Sequence, residues 1–193
     1  MRLFLGIAPD APTREAIGAA TARLESALGA TATAFRWTRT DNVHVTLHFL
    51  GEVPPARLEA LRRVIGEPIA EPPFAAGTGR FGAFPERGAP RVIWLGVDHG
   101  ADAMTRLHAA LAGRLRRLDI AVEDRPFTPH FTIARARDRH GPRSVRDEIA
   151  AVPVATASWT VAAATLFRSD LSGAAPKYER VIEADLVGPR RTT

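Results

Sequence analysis

The chain has 193 residues, with 26 lysines and arginines against 21 aspartates and glutamates for a formal charge of +5. Apolar residues make up 46% and charged residues 24%, the proportions of a soluble globular protein, which excludes collagen, coiled coil and disorder. There is no cysteine, which removes disulfides, thiolate nucleophiles and Cys-based zinc sites. No window holds the roughly 18 to 20 uncharged apolar residues of a membrane span, and Pro9, Asp10 and Pro12 break the opening too early for a signal peptide, so a cytoplasmic protein without a membrane partner is expected.

Lys177 is the only lysine. The arginine fork suits phosphate, which points to an anionic partner, but arginine beside so much alanine fits a GC-rich genome equally well. Charge alone leaves both open.

In chain order, alternation over 2–7 reads as a strand. Asp10 and Pro12 then signal a helix whose Ile17, Ala20, Leu24 and Leu28 share a face. Residues 35–38 and 43–50 read as strands, and Pro55 opens a helix with Leu58, Leu61 and Ile65 on one side. A Pro/Gly-rich stretch over 68–90 carries strand pieces near Phe74 and over 80–84, and 91–97 reads as a buried strand. A helix follows, with Met104, Leu107, Leu111, Leu115 and Leu118 in one stripe. Arg114, Arg116 and Arg117 crowd its end, where they are expected to be solvated and structural. Strands over 130–134, 154–166 and 178–186 and a short helix over 144–151 complete the chain, the last two strands being joined through Ser172-Gly173. Strands and helices mix without βαβ alternation, and no Gly-rich loop joins a strand to a helix, so the class is α+β with antiparallel sheet.

Two tetrapeptides match: His44-Val45-Thr46-Leu47 and His130-Phe131-Thr132-Ile133, each His-x-Thr-apolar inside a strand-like run. Composition yields roughly 0.2 such tetrapeptides by chance, so two require a physical reason. On a strand, His and Thr two apart share a face while the intervening residues enter a core. If two similar halves pack about a pseudo-twofold axis, the motifs face one cleft and offer one ligand two imidazoles and two hydroxyls. A phosphodiester fits that clamp. One imidazole takes a proton from water, the other gives one to the leaving oxygen, and the hydroxyls bind the non-bridging oxygens.

Other features have plainer readings. His99, His108 and His140 are read as ordinary surface or hydrogen-bonded histidines. His48 shares a face with His44 on a regular strand, about 13 Å away and too far to ligate one ion with it, and is read as a cleft-rim residue. Trp37, Trp94, Trp159, Phe4 and Phe127 are read as core or rim aromatics. Neither a Gly-x-Ser-x-Gly elbow nor a P-loop is present.

With these motifs the chain resembles the 2H phosphoesterase superfamily, and within it the RNA 2′,3′-cyclic phosphodiesterases, historically called 2′-5′ RNA ligases. The resemblance covers Arg2-Leu3-Phe4, Arg36-Trp37, the run from His44 to Glu52, the strand over 91–97, the run from Arg125 to Arg135, and 166–178. It implies a bilobal fold, two pseudo-symmetric lobes with antiparallel sheets flanking a central cleft, as a single domain over 1–187 with a flexible tail over 188–193. It further implies hydrolysis of terminal 2′,3′-cyclic phosphate on RNA to a 2′-phosphate, without metal or cofactor. His44 would donate the proton to the leaving 3′ oxygen and His130 would activate water. Thr46 and Thr132 would bind the phosphate, and Arg135 would lie against the nucleotide. Arg135 falls on the opposite face from His130 if pleating is regular, so its role requires a bend in the strand. Arg125, Lys177 and Tyr178 are further candidates for lining the cleft. The expected partners are RNA ends or small cyclic nucleotides, bound by a monomer. A non-catalytic RNA or nucleotide-binding module, and 2′-5′ RNA end joining, stay open as alternatives.

Overall fold

Asp10 shows how locally the first helix is specified. Its carboxylate accepts the Thr13 amide at 2.9 Å, capping an orphan donor of the first turn, and Ile17, Ala20, Leu24 and Leu28 are then buried at helical spacing. The computed structural model describes residues 1–123, 125–138, 142, 145–171 and 176–188. Its elements are β1 (Arg2–Ile7), α1 (Ala11–Leu28), β2 (Phe35–Trp37), β3 (Val45–Glu52), α2 (Leu58–Ile65), β4 (Phe74–Phe84), β5 (Val92–His99), α3 (Ala101–Arg116), β6 (His130–Ala136), α4 (Arg146–Ala151), β7 (Ser158–Val161), β8 (Ala163–Asp170) and β9 (Lys177–Asp185). His140, the Ser172-Gly173 connection and the tail beyond Gly188 lie outside the described residues.

The strands pair in the order β7-β4-β5-β6-β3-β1-β8-β9, with β2 added alongside β6. All of these pairings are antiparallel. The two lobes expected from the resemblance are therefore halves of one curled sheet rather than two separate sheets. β6, β5, β4 and β7 form one half, and β3, β1, β8 and β9 the other. The halves meet where Val45 pairs with Phe131, the one registered pair between β3 and β6. These two residues follow His44 and His130, so the pseudo-twofold axis passes between the two motifs. The middle of the chain builds one half, while segments before and after it build the other.

Two expectations need correction. The apolar run over 154–166 is two strands interrupted at Ala162, because β7 pairs with β4 in one half and β8 with β1 in the other. The pieces near Phe74 and Phe84 are one strand of 11 residues. Arg114 has the structural role expected of it. Its guanidinium donates to the carbonyls of Ile65 at 2.9 Å and Pro68 at 2.7 Å, and also to that of Glu67, closing the carbonyl end of α2.

Candidate active site

Each motif strand carries a β-bulge at the same place. Between β1 and β3, Gly6 pairs with Thr46 and Leu5 with His48, which leaves Leu47 as the extra residue. Between β5 and β6, Trp94 pairs with Thr132 and Ile93 with Ala134, which leaves Ile133. A bulge inserts one residue and reverses the alternation beyond it. His44, Thr46 and Phe49 therefore share the cleft face while Val45, Leu47 and His48 are buried behind them, and His130, Thr132 and Arg135 do the same opposite Phe131, Ile133 and Ala134. The bend that Arg135 required is this bulge. The same device contradicts the expected face of His48, which is only 5% exposed. His48 is turned away from Thr46, stacks on His108 with centroids 4.0 Å apart, and reaches only the end of the cleft.

Extending the Val45–Phe131 pairing by one residue sets Thr46 opposite His130 and Thr132 opposite His44, with the two histidines as diagonal neighbours. The two imidazoles are anchored alike. Nδ1 of His44 donates to the Asn42 carbonyl at 2.7 Å, and Nδ1 of His130 donates to the Thr128 carbonyl at 2.7 Å. With Nδ1–H committed, Nε2 is the nitrogen left for proton transfer on each ring. In His44 that nitrogen lies 3.1 Å from the Thr46 hydroxyl, which donates to it when the ring is neutral and accepts from it when the ring is charged.

Aromatic rings wall both histidines from the two strands beyond each motif strand. Phe4 and Phe167 lie 4.6 and 6.2 Å from His44. Phe84 and Trp94 lie 5.3 and 6.3 Å from His130. Burial pushes both imidazoles below their ordinary value, and the nearby Arg135 cation pushes each further the same way, against the upward pull of the carbonyl bonds. The charge of His130 also lowers His44, so the two rings feel each other.

A cleft of about 770 Å³ contains Thr46, His130, Thr132 and Arg135, with Phe84, Arg91 and Arg125 along its length. Arg125 pairs with Glu123 at 2.7 Å. Tyr178 packs edge-on against His44 at 5.1 Å, its hydroxyl pushed up by burial and drawn down by Arg135 and Arg2. Lys177, one residue earlier on β9, is exposed on the opposite face, in register with Asp170, so the structure does not bring it to the site. Among the described residues, no three His, Cys, Asp or Glu gather as a ligand set for a metal, and no helix is long and apolar enough to cross a membrane.

Sequence reasoning missed Phe49 and Asn42. Phe49 is 52% exposed in the cleft, the phase its bulge dictates. Asn42 supplies the carbonyl that holds His44, and its amide donates to the Pro176 carbonyl at 2.7 Å, tying that turn to the start of β9. The aromatic walls had a readable signal, because Phe4-Leu5-Gly6 and Trp94-Leu95-Gly96 repeat one aromatic-Leu-Gly triplet on the strands beside the two motifs.

A sequence profile of the 2′-5′ RNA ligase superfamily matches residues 8–173. An RNA 2′,3′-cyclic phosphodiesterase of Geobacillus stearothermophilus is 32% identical over 153 residues, 79% of this chain but 48% of that protein, so the match spans about half of that relative's length. The RNA 2′,3′-cyclic phosphodiesterase of Aeropyrum pernix is 31% identical over 166 residues, 84% of this chain and 92% of that one. Among solved structures, TT0787 of Thermus thermophilus superposes with a TM-score of 0.78 at 28% identity over 97% of this chain and 99% of its own. Escherichia coli LigT complexed with 3′-AMP gives 0.73 at 28% identity over 96% and 97%.

Proposed function

The chain belongs to the 2′-5′ RNA ligase superfamily, and from that premise we propose that it is an RNA 2′,3′-cyclic phosphodiesterase that opens the terminal cyclic phosphate to a 2′-phosphate by acid–base catalysis on two histidines. The observation that carries this reading is the Val45–Phe131 pairing, which sets the two His-x-Thr motifs side by side on one face of the sheet, where Thr46, His130 and Thr132 line one cleft and His44 lies beside it. The relatives named above as RNA 2′,3′-cyclic phosphodiesterases support it.

The cyclic phosphate sits between the two imidazoles. Nε2 of His130 removes a proton from water as its oxygen bonds to phosphorus, and the bond from phosphorus to O3′ breaks. Nε2–H of His44 protonates that oxygen, leaving a 3′-hydroxyl and a 2′-phosphate. Two carbonyl anchors keep both Nε2 atoms aimed, so little reorientation is needed when the charge moves. Thr46 and Thr132, flanking the phosphate from opposite strands, donate to its non-bridging oxygens, and the Arg135 cation offsets the charge growing there. Tyr178, Phe4 and Phe167 keep water from the His44 side. Phe49 and Arg125 line the space left for the nucleotide.

The test is product analysis with an oligonucleotide ending in 2′,3′-cyclic phosphate, in excess chelator. A 2′-monophosphate end, with His44→Ala and His130→Ala each slower by about 10²–10⁴-fold, is the expected result. Intact substrate after hours with wild type, or joined products with a 5′-hydroxyl partner in place of hydrolysis, refutes the reading. Turnover that collapses in chelator points to metal catalysis instead.

A further inference from the structure

Both motif rings are anchored on a carbonyl, but the two carbonyls are held differently. Asn42, which orients His44, sits in a turn closed by main-chain bonds from its backbone amide to the Arg39 carbonyl at 2.9 Å and from the Val43 amide to the Thr40 carbonyl at 3.2 Å. Its side chain adds the tie to Pro176. Thr128, which orients His130, lies in a segment of another kind. The described residues of 120–129 belong to neither helix nor strand. Among those of 121–128, none makes a main-chain to main-chain hydrogen bond with another described residue, and the first to do so is Pro129, whose carbonyl accepts the Val97 amide at 3.2 Å. A segment with so few main-chain ties keeps its shape through side-chain packing.

That packing is concentrated one residue before the anchor. Phe127 lies flat on the His108 ring of α3, with centroids 4.4 Å apart and planes 9° from parallel, and packs against the core. His48 backs the other face of His108 at 4.0 Å, and its Nε2 donates to the His108 carbonyl at 2.9 Å, which fixes the two residues relative to each other. His48 reaches this place because the bulge at Leu47 turns it away from Thr46. The His108 ring itself makes no hydrogen bond among the described residues. Burial, His48 and Arg116 all disfavour a charge on it, so it stands as a neutral plate between two rings. A ring that bonds to nothing and resists protonation is used for its flat surface.

We propose that His108 is a positioning residue for the second motif: backed by His48, it seats Phe127, and through the next peptide it fixes the Thr128 carbonyl that orients His130. This rests on the cyclic phosphodiesterase reading above and adds to it a residue outside both motifs. The bulge that takes His48 off the cleft face of the first motif thereby supplies the support of the second.

The experiment compares wild type, His108→Ala and His108→Phe by steady-state hydrolysis of a dinucleotide ending in 2′,3′-cyclic phosphate and by nitrogen NMR of the histidine rings in the free protein. In wild type, neutral His44 and His130 should both carry the proton on Nδ1. His108→Ala should lower kcat by about 10- to 10²-fold with KM within about twofold of wild type. His130 alone should become a mixture of tautomers, because a released imidazole also places its proton on Nε2, where it cannot accept one from water. His108→Phe should restore both readings. Phe127→Leu, which keeps apolar bulk without the flat ring, should behave as His108→Ala does, and it replaces that variant if the alanine protein fails to fold. An unchanged kcat in His108→Ala, or a loss that His108→Phe does not restore, overturns the proposal. So does a kcat loss with the His130 tautomer intact, or a tautomer change shared equally by His44. If wild type hydrolyses nothing, the cyclic phosphodiesterase reading fails, while the NMR comparison still decides the positioning of His130.

Discussion

His48 and His108 lie face to face, with ring centroids 4.0 Å apart and planes 22° from parallel. Phe127 covers the far side of His108 at 4.4 Å and 9°, so His108 is the middle ring of a pile of three. His48 donates from Nε2 to the His108 carbonyl at 2.9 Å. The pile joins the first motif strand to α3 and to the segment leading into the second motif.

A proton in this pile is poorly tolerated. Burial, then the neighbouring His48 and Arg116, push His108 down to about 4. Burial and Arg116 also lower His48, against the pull of the carbonyl bond and Glu123. An unfolded histidine takes its proton near pH 6.5, before the folded one does, so stability falls as pH drops from about 6.5 to about 4 and levels off below. His108→Phe keeps a ring in the stack and removes the titration. Urea unfolding at pH 7 and 4.5 should show the variant losing less stability than wild type, and equal losses would sink this account.

The pH profile of kcat/KM should lie on the acid side of free imidazole. The proposed mechanism needs His130 neutral and His44 charged, and both groups are lowered by burial and by Arg135. The rising limb, set by the base, and the falling limb, set by the acid, both move to lower pH, giving a bell centred below about 6.5 in the free enzyme. A bell centred above pH 7.5 contradicts this electrostatic description.

Asn42→Ala leaves the carbonyl that anchors His44 but cuts its tie to the Pro176 carbonyl. A lost hydrogen bond of this kind costs about 1 kcal/mol, and the looser anchor should lower kcat about tenfold with little change in KM. Asn42→Asp removes the donor as well and should not rescue. An unchanged kcat in Asn42→Ala would show that His44 does not depend on this tie.

Gly6→Ala tests how tightly the first motif strand is seated. A Cβ there would stand 2.8 Å from the Val45 carbonyl oxygen and 3.4 Å from Cδ2 of His44, whereas at Gly96 the nearest atom is in the Trp94 ring at 3.3 Å. Overpacking against backbone costs about 1–3 kcal/mol. Gly6→Ala should therefore melt lower and turn over more slowly than Gly96→Ala, and the reverse order in thermal melts and initial rates would refute it.

The four motif side chains were legible because the strand period alone puts His and Thr together, and most elements followed from spacing, as with Ile17 to Leu28 and Leu107 to Leu115. The bulges were not. An inserted residue belongs to the pairing of two strands, and nothing in Thr46-Leu47-His48 distinguishes a bulge from regular pleat, so simple alternation puts His48 on the wrong face and demands of Arg135 a bend it does not explain. Asn42 and Thr128 act on the histidines through main-chain carbonyls, which any residue type supplies. The break at Ala162 is equally silent, since apolar residues run through it into strands of different halves.

The division of the chain between the halves sets an order of assembly. As the polypeptide leaves the ribosome, β4 to β7 can close against one another as soon as they emerge, whereas Arg2–Ile7 has one flank open until Ala163–Asp170 is made. Pairings this distant are slow to form because the intervening chain must first be ordered. The wall of rings behind His44, which takes Phe4 from the earliest strand and Phe167 and Tyr178 from the latest, is completed last. A nascent chain thus pairs the strands around the second motif before the ring wall behind His44 is complete.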